Sequence, residues 1–400
     1  MSAIGQGTMV SSFAALANTL LGAGILGLPG AFAATGWVLG IILLLTFAST
    51  SAFGLHLLHT SASHIGIPSS FGAVCDASVP SLSWVVDAAV AIKCFGVATS
   101  YLIVVGDGMP SVVEGTGRIL WVLVGFAVVT PLAFLRTLTA LRFTASFSLF
   151  FVAFTTGLIV VYAANPSLSP CGDDDGNACG PIKAARADSN TFSKLSVFIF
   201  SYTCHQNAFS TLHNELRHPT QARANGVIAV SIGTALFMYL CVSLAGYSIF
   251  GSEVPPDILE GFPDNALFDL ARTFVSILVC FCYPLQAHPA RASILALLRR
   301  TGKEPLVAFA NSKASHWVVT CVFLAASLGI ALVVTDLGVV LSFVGATGST
   351  TITFILPGIC YYKLFPEPHL KRSLAFCQFV LGCCIVPFAL YFIFTGSSGE

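Results

Sequence analysis

Six consecutive residues, 202–207, bring together several groups capable of binding or proton transfer within a mostly apolar run. They read Tyr-Thr-Cys-His-Gln-Asn. Polar groups inside an apolar span are costly unless they line a wet cavity or a binding site, although Ser, Thr and Asn also bond across packed helices. The density of this run, which contains His205, favours a site.

His205 is the one group of this run that titrates near neutral pH. It could carry a coupling proton or bond a substrate, and a neutral histidine bonded inside the core is the alternative. Cys204 beside it does not indicate a nucleophile–base pair, because neighbours on a helix point about 100° apart. No ligands are paired at a spacing that suits a metal. We therefore expect no catalytic residues, no metal and no cofactor.

A second stretch that favours binding lies near the start of the chain, in residues 18–30. Gly22, Ala23 and Gly24 lie near its middle. Glycine lets a chain leave helical geometry, and free N–H groups at the start of the next half-helix favour an anion such as a carboxylate. Glycines also serve close helix–helix packing, which is the structural alternative.

The composition identifies the environment of these stretches. Hydrophobic residues make up 56% of the 400 residues and charged residues 9%, against roughly 25% charged in soluble domains. So few charges exclude a soluble globular enzyme. The formal net charge is zero, which excludes a nucleic-acid binder driven by basic excess. We expect an all-α polytopic membrane protein whose partners are the lipid bilayer and a small molecule.

About eleven apolar runs are long enough to cross a bilayer core, which takes about 20 helical residues. The runs are 8–34, 36–58, 84–109, 118–135, 143–163, 194–214, 225–250, 266–288, 316–335, 338–363 and 374–394. Lys93 lies inside the third run, where we expect it to pair with a carboxylate or to extend toward the membrane surface.

The runs divide into two sets of five within a single domain, 1–400. The first set covers 8–163, a loop follows at 164–193, the second set covers 194–363, and an extra helix covers 374–394. Because five is odd, the second set must be inverted relative to the first.

The loop charges predict the orientation. Twelve loop Lys and Arg residues lie on the side of the N-terminus and four on the other side. The positive-inside rule then places the N-terminus in the cytosol and, after eleven spans, the C-terminus on the luminal or extracellular side. Cys171 and Cys179 are the only cysteines predicted on that second side, where an oxidising environment would allow them to form a disulfide.

Four ordered motifs resemble the amino acid/auxin permease (AAAP) family over the whole chain. They are residues 18–29, residues 92–107, residues 202–207 with 214–216, and residues 283–291. In style they are most similar to the fungal vacuolar amino acid transporters, then to the sodium-coupled neutral amino acid transporters. The resemblance implies an inverted five-helix repeat of the LeuT/APC type with one C-terminal helix added.

The resemblance also implies an amino acid site between broken helices 1 and 6. Backbone amides at Gly22, Ala23 and Gly24 would bind the substrate carboxylate. Thr203, Cys204 and His205 would face the amino group and the side chain. Ala23 replaces a hydroxyl found in some relatives, so their substrate preference need not carry over.

The coupling ion follows from the same resemblance. Asn18 corresponds to a position linked to cation or substrate binding, and its partner hydroxyl is replaced by Cys280 or Cys282, depending on the register. Thiols are poor sodium ligands, which favours protons and leaves sodium possible. His205 is the other candidate for coupling.

These features predict a secondary active transporter for neutral amino acids, proton-coupled, in a vacuolar, lysosomal or plasma membrane. A sodium-coupled transporter is one alternative. An amino-acid-sensing receptor is another, with 291–315 as the sole sizeable docking loop. The sequence does not indicate the oligomeric state.

Overall fold

The computed structural model describes residues 5–135, 144–171 and 179–396. Within these ranges the chain is helical and contains no β-strand, apart from an isolated bridge between Gly7 and Leu216. The α-helices are α1 Met9–Leu20, α2 Gly24–Thr35, α3 Trp37–Ile65, α4 Phe71–Ser78, α5 Ser83–Val112, α6 Arg118–Ala133, α7 Thr144–Ala164, α8 Ser189–Ser201, α9 His205–Ala208, α10 Gln221–Phe250, α11 Ala266–Arg300, α12 Glu304–Asn311, α13 Lys313–Val333, α14 Leu337–Val344, α15 Leu356–Leu364 and α16 Leu370–Gly396. Three π-helical segments, Phe209–Asn214, Gly345–Ser349 and Thr351–Ile355, continue α9 and join α14 to α15.

Eight helical stretches in the described residues are long and apolar enough to cross a membrane. The pair α1 and α2 meets the same criterion together, although the two helices are bent by 52° at their junction. The shorter helix α6 and the interrupted run from α8 to Asn214 lie outside this count. The expectation of an all-α polytopic membrane protein is confirmed, whereas the eleven spans and their inverted repeat stay predictions.

Side-chain caps start several of these helices, because the first N–H groups of a helix have no partner within it. Thr8 caps α1, Asp188 caps α8, Thr220 caps α10, Asn265 caps α11 and Asp336 caps α14. Each side-chain oxygen accepts from an N–H of the first turn. The short polar residues between the apolar runs therefore fix where the helices begin.

Helix α5 lies at the centre of the bundle and α16 at its edge. In the most apolar 18-residue stretch of α5, 78% is buried inside the bundle, whereas in that of α16 only 17% is buried. Close packing of the span that joins α14 to α15 against α8 and α5 depends on two of its glycines. A Cβ on Gly345 would collide with the carbonyl of Ser196 in α8, and a Cβ on Gly348 would lie 2.7 Å from the carbonyl of Ala89 in α5.

Backbone hydrogen bonds close the end of the bundle that holds the N-terminus, which we call the N-side. The Gly5 N–H donates to the carbonyl of Asn214 at 3.0 Å, and the Gly7 N–H donates to that of Glu215 at 2.6 Å. The side chain of Asn214 in turn bonds the N–H and carbonyl of Ser69. These bonds tie the start of α1 to the end of the interrupted span.

At the opposite end, which we call the far side, residues 251–265 form a cover over α2. A Cβ on Gly30 would lie 3.8 Å from the carbonyl of Pro255 in this cover. The guanidinium of Arg272, at the start of α11, donates to the carbonyls of Leu259 and Phe262 and to Asp264. Arg272 therefore anchors the cover to the bundle. Cys171 and Cys179, also on this side, are joined by a disulfide.

We predict that Gly345→Ala lowers the melting temperature of the purified protein by several degrees. The added Cβ forces α8 away from its neighbour, and overpacking of this kind costs about 1–3 kcal/mol. Gly329→Ala in α13 is the matched control, since a Cβ there meets nothing within 4 Å. Equal melting temperatures for the two variants would contradict this account of the packing.

Candidate functional site

The first span breaks at residues 21–23, between α1 and α2. Gly22 bends back through a hydrogen bond from its N–H to the carbonyl of Leu20, at 2.9 Å. Within the described residues, the N–H groups of Ala23 and Gly24 donate no hydrogen bond. The break therefore leaves two adjacent donors at the N-terminus of α2, the helix end that favours negative charge.

A second break lies against the first. Helix α8 ends at Ser201, Tyr202–Cys204 are not α-helical, and α9 begins at His205. A Cβ on Gly24 would come within 2.9 Å of the Ser201 hydroxyl oxygen. Glycine at position 24 is therefore what lets the two breaks touch.

A tyrosine from a third helix holds the two breaks together. The hydroxyl of Tyr239 in α10 lies 2.6 Å from the carbonyl oxygen of Leu20 and 2.8 Å from that of Ser201. These carbonyls end α1 and α8, where helix dipoles are negative and partners are lacking. Sequence reasoning missed Tyr239. A polar tip in the middle of an apolar run is the signal that could have found it.

Beside the first break lies a small cavity of about 20 Å³, room for one or two water molecules and far below the roughly 300–1,000 Å³ of open small-molecule sites, so the structure is closed around it. Gly22 and Ala23 line it on one side, and Thr155 and Thr156 of α7 also line it. The rest of the wall is aliphatic, with side chains that include Leu26, Val152, Ile159, Val242, Val275 and Val279. No charged side chain is among the described residues of this lining.

Tyr101 of α5 lies against the first break as well. Its hydroxyl would be 3.3 Å from a Cβ on Gly22, and the side chain of Gln286 in α11 lies close to it. Both side chains are buried. Tyr101 and Gln286 therefore bring a polar contact from two further helices to the break.

The structure distinguishes between the two cysteines of α11. The Cys282 thiol lies 3.9 Å from the Asn18 side-chain oxygen and within hydrogen-bonding reach of Ser148 in α7. Cys280 precedes it by two residues and so points about 200° away around the helix. Cys282 is thus the residue that lies opposite Asn18.

Thr203, Cys204 and His205 lie outside the cavity wall. The Thr203 hydroxyl donates to the carbonyl of Ile199 and lies 3.3 Å from the Thr353 hydroxyl. Nδ1 of His205 is 3.5 Å from the same hydroxyl. The structure therefore groups residues 203–205 with the π-helical segment of Thr353. Their role in substrate binding stays a prediction.

Lys93 lies close enough to interact electrostatically with Cys204 and His205. It is buried, and no carboxylate of the described residues lies within ion-pair distance of it. The expected pairing with a carboxylate, and equally the expected extension to the surface, is therefore wrong for the described part of the chain. Gly348 lies directly against it, where an added Cβ would be 3.0 Å from the Lys93 Cβ.

The family model described as "Transmembrane amino acid transporter protein" matches residues 5–399. The chain belongs to this family. Among curated relatives, "Vacuolar amino acid transporter 5" of Schizosaccharomyces pombe is 37% identical over 371 residues, which cover 90% of this chain and 85% of the relative.

Two further relatives extend the comparison. "Vacuolar amino acid transporter 6" of Saccharomyces cerevisiae is 32% identical, over an alignment that covers 88% of this chain and 89% of the relative. "Sodium-coupled neutral amino acid transporter 4" of Pongo abelii is 26% identical, over an alignment that covers 89% of this chain and 78% of the relative. The protein is an amino acid transporter of the membrane and not an enzyme.

The cover of this transporter contains a buried carboxylate. Asp257 is 2% exposed, and its side chain accepts from the N–H of Leu259 at 2.9 Å. Burial raises the pKa of this carboxyl to about 7, with Glu260 and Asp107 adding like charge and Arg272 opposing them. The cover therefore contains a group that titrates in the range of cellular pH.

We predict that Tyr239→Phe slows transport at least roughly tenfold while the protein stays folded. The change leaves the buried carbonyl of Ser201 without its donor and that of Leu20 with the N–H of Gly22 alone, and such a loss costs about 1–3 kcal/mol. Uptake rate and melting temperature measured on the same preparation test it. Tyr391→Phe, on the exposed face of α16, is the control. Unchanged uptake in Tyr239→Phe would contradict the bridging role.

We predict that the cover loosens as pH rises. The Asp257 carboxyl has a pKa of about 7 in the closed cover, against about 3.9 for an Asp in water. Below pH 4 it is protonated in both states, so closing the cover costs no free energy for burying its charge. The penalty grows between pH 4 and 7 to roughly 4 kcal/mol and is constant above. Protease cleavage within residues 251–265 should therefore increase over this range.

Asp257→Asn should weaken this pH dependence, because the amide oxygen still caps Leu259 and carries no charge. Glu260 of the same cover, whose pKa burial also raises to about 7, should supply the remainder. Glu253→Gln in the same cover is the control, since Glu253 is exposed. A cleavage profile in Asp257→Asn as steep with pH as that of the wild type would exclude Asp257 as its main source.

Proposed function

We propose that this protein is a secondary active transporter that carries neutral amino acids by alternating access and is coupled to protons. The observation that carries the proposal is the pair of unbonded amides at Ala23 and Gly24 beside the cavity. Two adjacent N–H groups at a helix N-terminus match the two oxygens of a carboxylate. An amino acid always presents that group, whatever its side chain.

The lining of the cavity supports a neutral substrate. A charged substrate side chain taken from water into this site needs a counter-charge, since an unpaired buried charge is costly. Within the described lining, aliphatic groups and two threonines are offered instead. The substrate ammonium then lies toward the carbonyl ends of α1 and α8, where backbone oxygens are concentrated.

The surroundings of Asn18 support proton coupling. A sodium site needs hard oxygen ligands, and the nearest group of α11 is the thiol of Cys282. Asp257 of the cover and His205 beside Thr353 are the two groups proposed to respond to protons. Sodium coupling remains the second candidate, because Asn18 and Ser148 both bring oxygens near this thiol.

We assign the N-side to the cytosol and the far side to a lumen or the exterior. The excess of basic loop residues on the N-side supports this orientation. The relatives named vacuolar in two yeasts support a vacuolar membrane. The two breaks each lie in the first span of a set of five, which supports repeats at 8–163 and 194–363 with the extra helix 374–394 outside them.

Uptake into proteoliposomes tests the proposal. A panel of radiolabelled neutral, acidic and basic amino acids is presented under an imposed proton gradient, then under a sodium gradient. We expect accumulation of neutral amino acids under the proton gradient alone. The His205→Ala and Asp257→Asn variants, measured in parallel, show which group the proton gradient acts on.

Accumulation that requires sodium would overturn proton coupling and favour the sodium-coupled alternative. Binding of an amino acid without accumulation under either gradient would overturn transport by this chain and favour a sensor. Preference for a charged amino acid would contradict the account of the cavity lining.

A further inference from the structure

Lys93 of α5 is a buried basic group to which the proposed function assigns no role. Its side chain lies inside the bundle, and the residue is 2% exposed. Among the described residues it forms no ion pair and no hydrogen bond through its ammonium nitrogen. An ammonium taken out of water without a counter-charge is costly, so this closed structure favours the neutral amine.

The other buried basic side chains of the described chain are all bonded. Arg272 donates to two carboxylates and two backbone carbonyls. Arg291 donates to the carbonyl of Ala133 and to the hydroxyl of Thr320. A buried cation that only stabilises the fold is bonded in this way. Lys93 departs from the pattern, which indicates a role outside the closed fold.

The surroundings of Lys93 contain no carboxylate among the described residues. The titratable groups that interact with it electrostatically are Cys94 of the same helix and Cys204 and His205 at the second break. The π-helical segment Gly345–Ser349, which packs against this face of α5, has no titratable residue. The other described elements around α5 bring no further titratable group to the amine. Lys93 is therefore a base placed beside one of the two helix breaks.

Lys93 and His205 hold one proton between them rather than two. Positive charge on Lys93 opposes positive charge on His205, since the two side chains interact electrostatically. An alkyl amine has an ordinary pKa of about 10.4 and an imidazole one of about 6.5, and burial acts against the charged form of both. The single proton therefore resides on the amine of Lys93.

We propose that Lys93 carries the coupling proton of the transport cycle. This inference rests on the proton coupling proposed above and names the group that the proton occupies. When the breaks open to one side, the amine takes a proton from water there. When they open to the other side, the ammonium returns that proton to water, so proton and charge balance over the cycle.

The closed structure explains why proton and amino acid move together. The empty site closes around the neutral amine only, because the described residues supply no counter-charge to an ammonium. A bound amino acid brings a carboxylate to the touching breaks, and the loaded site can then close around the ammonium. The protein therefore crosses either with both passengers or with neither.

The test uses Lys93→Met and Lys93→Gln in proteoliposomes with the membrane potential clamped to zero. The probe is the neutral amino acid that the wild type accumulates best. One coupled proton supports about tenfold accumulation for an imposed difference of about one pH unit. We expect this ratio in the wild type, and in both variants we expect the internal concentration to stop at the external one. Exchange of labelled for unlabelled amino acid at equal pH should continue in both.

Three further variants serve as comparisons. Lys363→Gln, at the exposed end of α15, is the matched control and should keep the wild-type accumulation. Lys93→Arg should also fail to accumulate, because a guanidinium does not release its proton. His205→Ala should keep the accumulation ratio in whatever uptake it retains, since this ratio depends on the proton carried and not on the rate.

Accumulation of about tenfold in Lys93→Met would overturn the role of Lys93 and leave the proposed function standing. Loss of exchange in both the Met and the Gln variants, in protein that remains monodisperse, would also overturn it, because a group that only carries the proton is not needed for exchange. A ratio lost in His205→Ala and kept in the Lys93 variants would assign the proton to His205 instead. Wild-type protein that accumulates nothing under a proton gradient would overturn proton coupling and this inference together.

Discussion

The satisfaction of backbone groups at two helix breaks is the constraint on which the rest of this structure depends. In a bilayer a broken span exposes N–H and carbonyl groups that water cannot reach, so each break needs partners from protein or ligand. On the carbonyl side the Tyr239 hydroxyl lies within hydrogen-bonding distance of Leu20 and Ser201 together, and the N–H of Gly22 also donates to Leu20. A hydroxyl has a single proton to share between two acceptors. The Ser201 carbonyl therefore has only this shared donor among the described residues and keeps its affinity for a positively charged group.

On the N–H side the partner is missing from the described chain. Ala23 and Gly24 keep their donors unbonded, while the glycine at position 24 allows Ser201 to approach closely. The two halves of the break thus offer opposite charges within one small region, donors at the start of α2 and acceptors at the ends of α1 and α8. A zwitterion matches this arrangement better than an anion or a cation does, because each of its charged groups meets an unsatisfied end. The chain belongs to an amino acid transporter family, and amino acids are zwitterions.

The sequence predicted what depends on local chemistry and missed what depends on how distant helices meet. The glycines at 22 and 24 predicted a break through their conformational freedom; in the structure neither has a positive φ, and the glycine at 24 serves the close approach of Ser201. The sequence could not show whether Cys280 or Cys282 lies opposite Asn18, since that depends on the rotation of α11 against α1. Nor could it show that residues 203–205 lie beside Thr353, 148 residues further along than His205. Tyr239, Thr155 and Thr156 look like ordinary members of apolar spans, and only the packed structure shows which polar tips find a partner.

The two ends of the bundle are held closed by groups that respond differently to acid. On the N-side, Arg300 bonds Asp76 at 3.1 Å. Partial burial of Asp76 acts to raise its pKa, but hydrogen bonds from Ser83 and Arg300 outweigh it and hold that pKa below the ordinary value. This pair keeps its charges in weak acid. On the far side, Asp257 with its pKa of about 7 gains a proton in the same range, and the cost of burying its charge disappears. An acidic compartment on the far side therefore favours closure of the cover and leaves this N-side pair unaffected. A pH difference between two compartments would then bias one gate more than the other, which is the asymmetry that a proton-driven transporter requires.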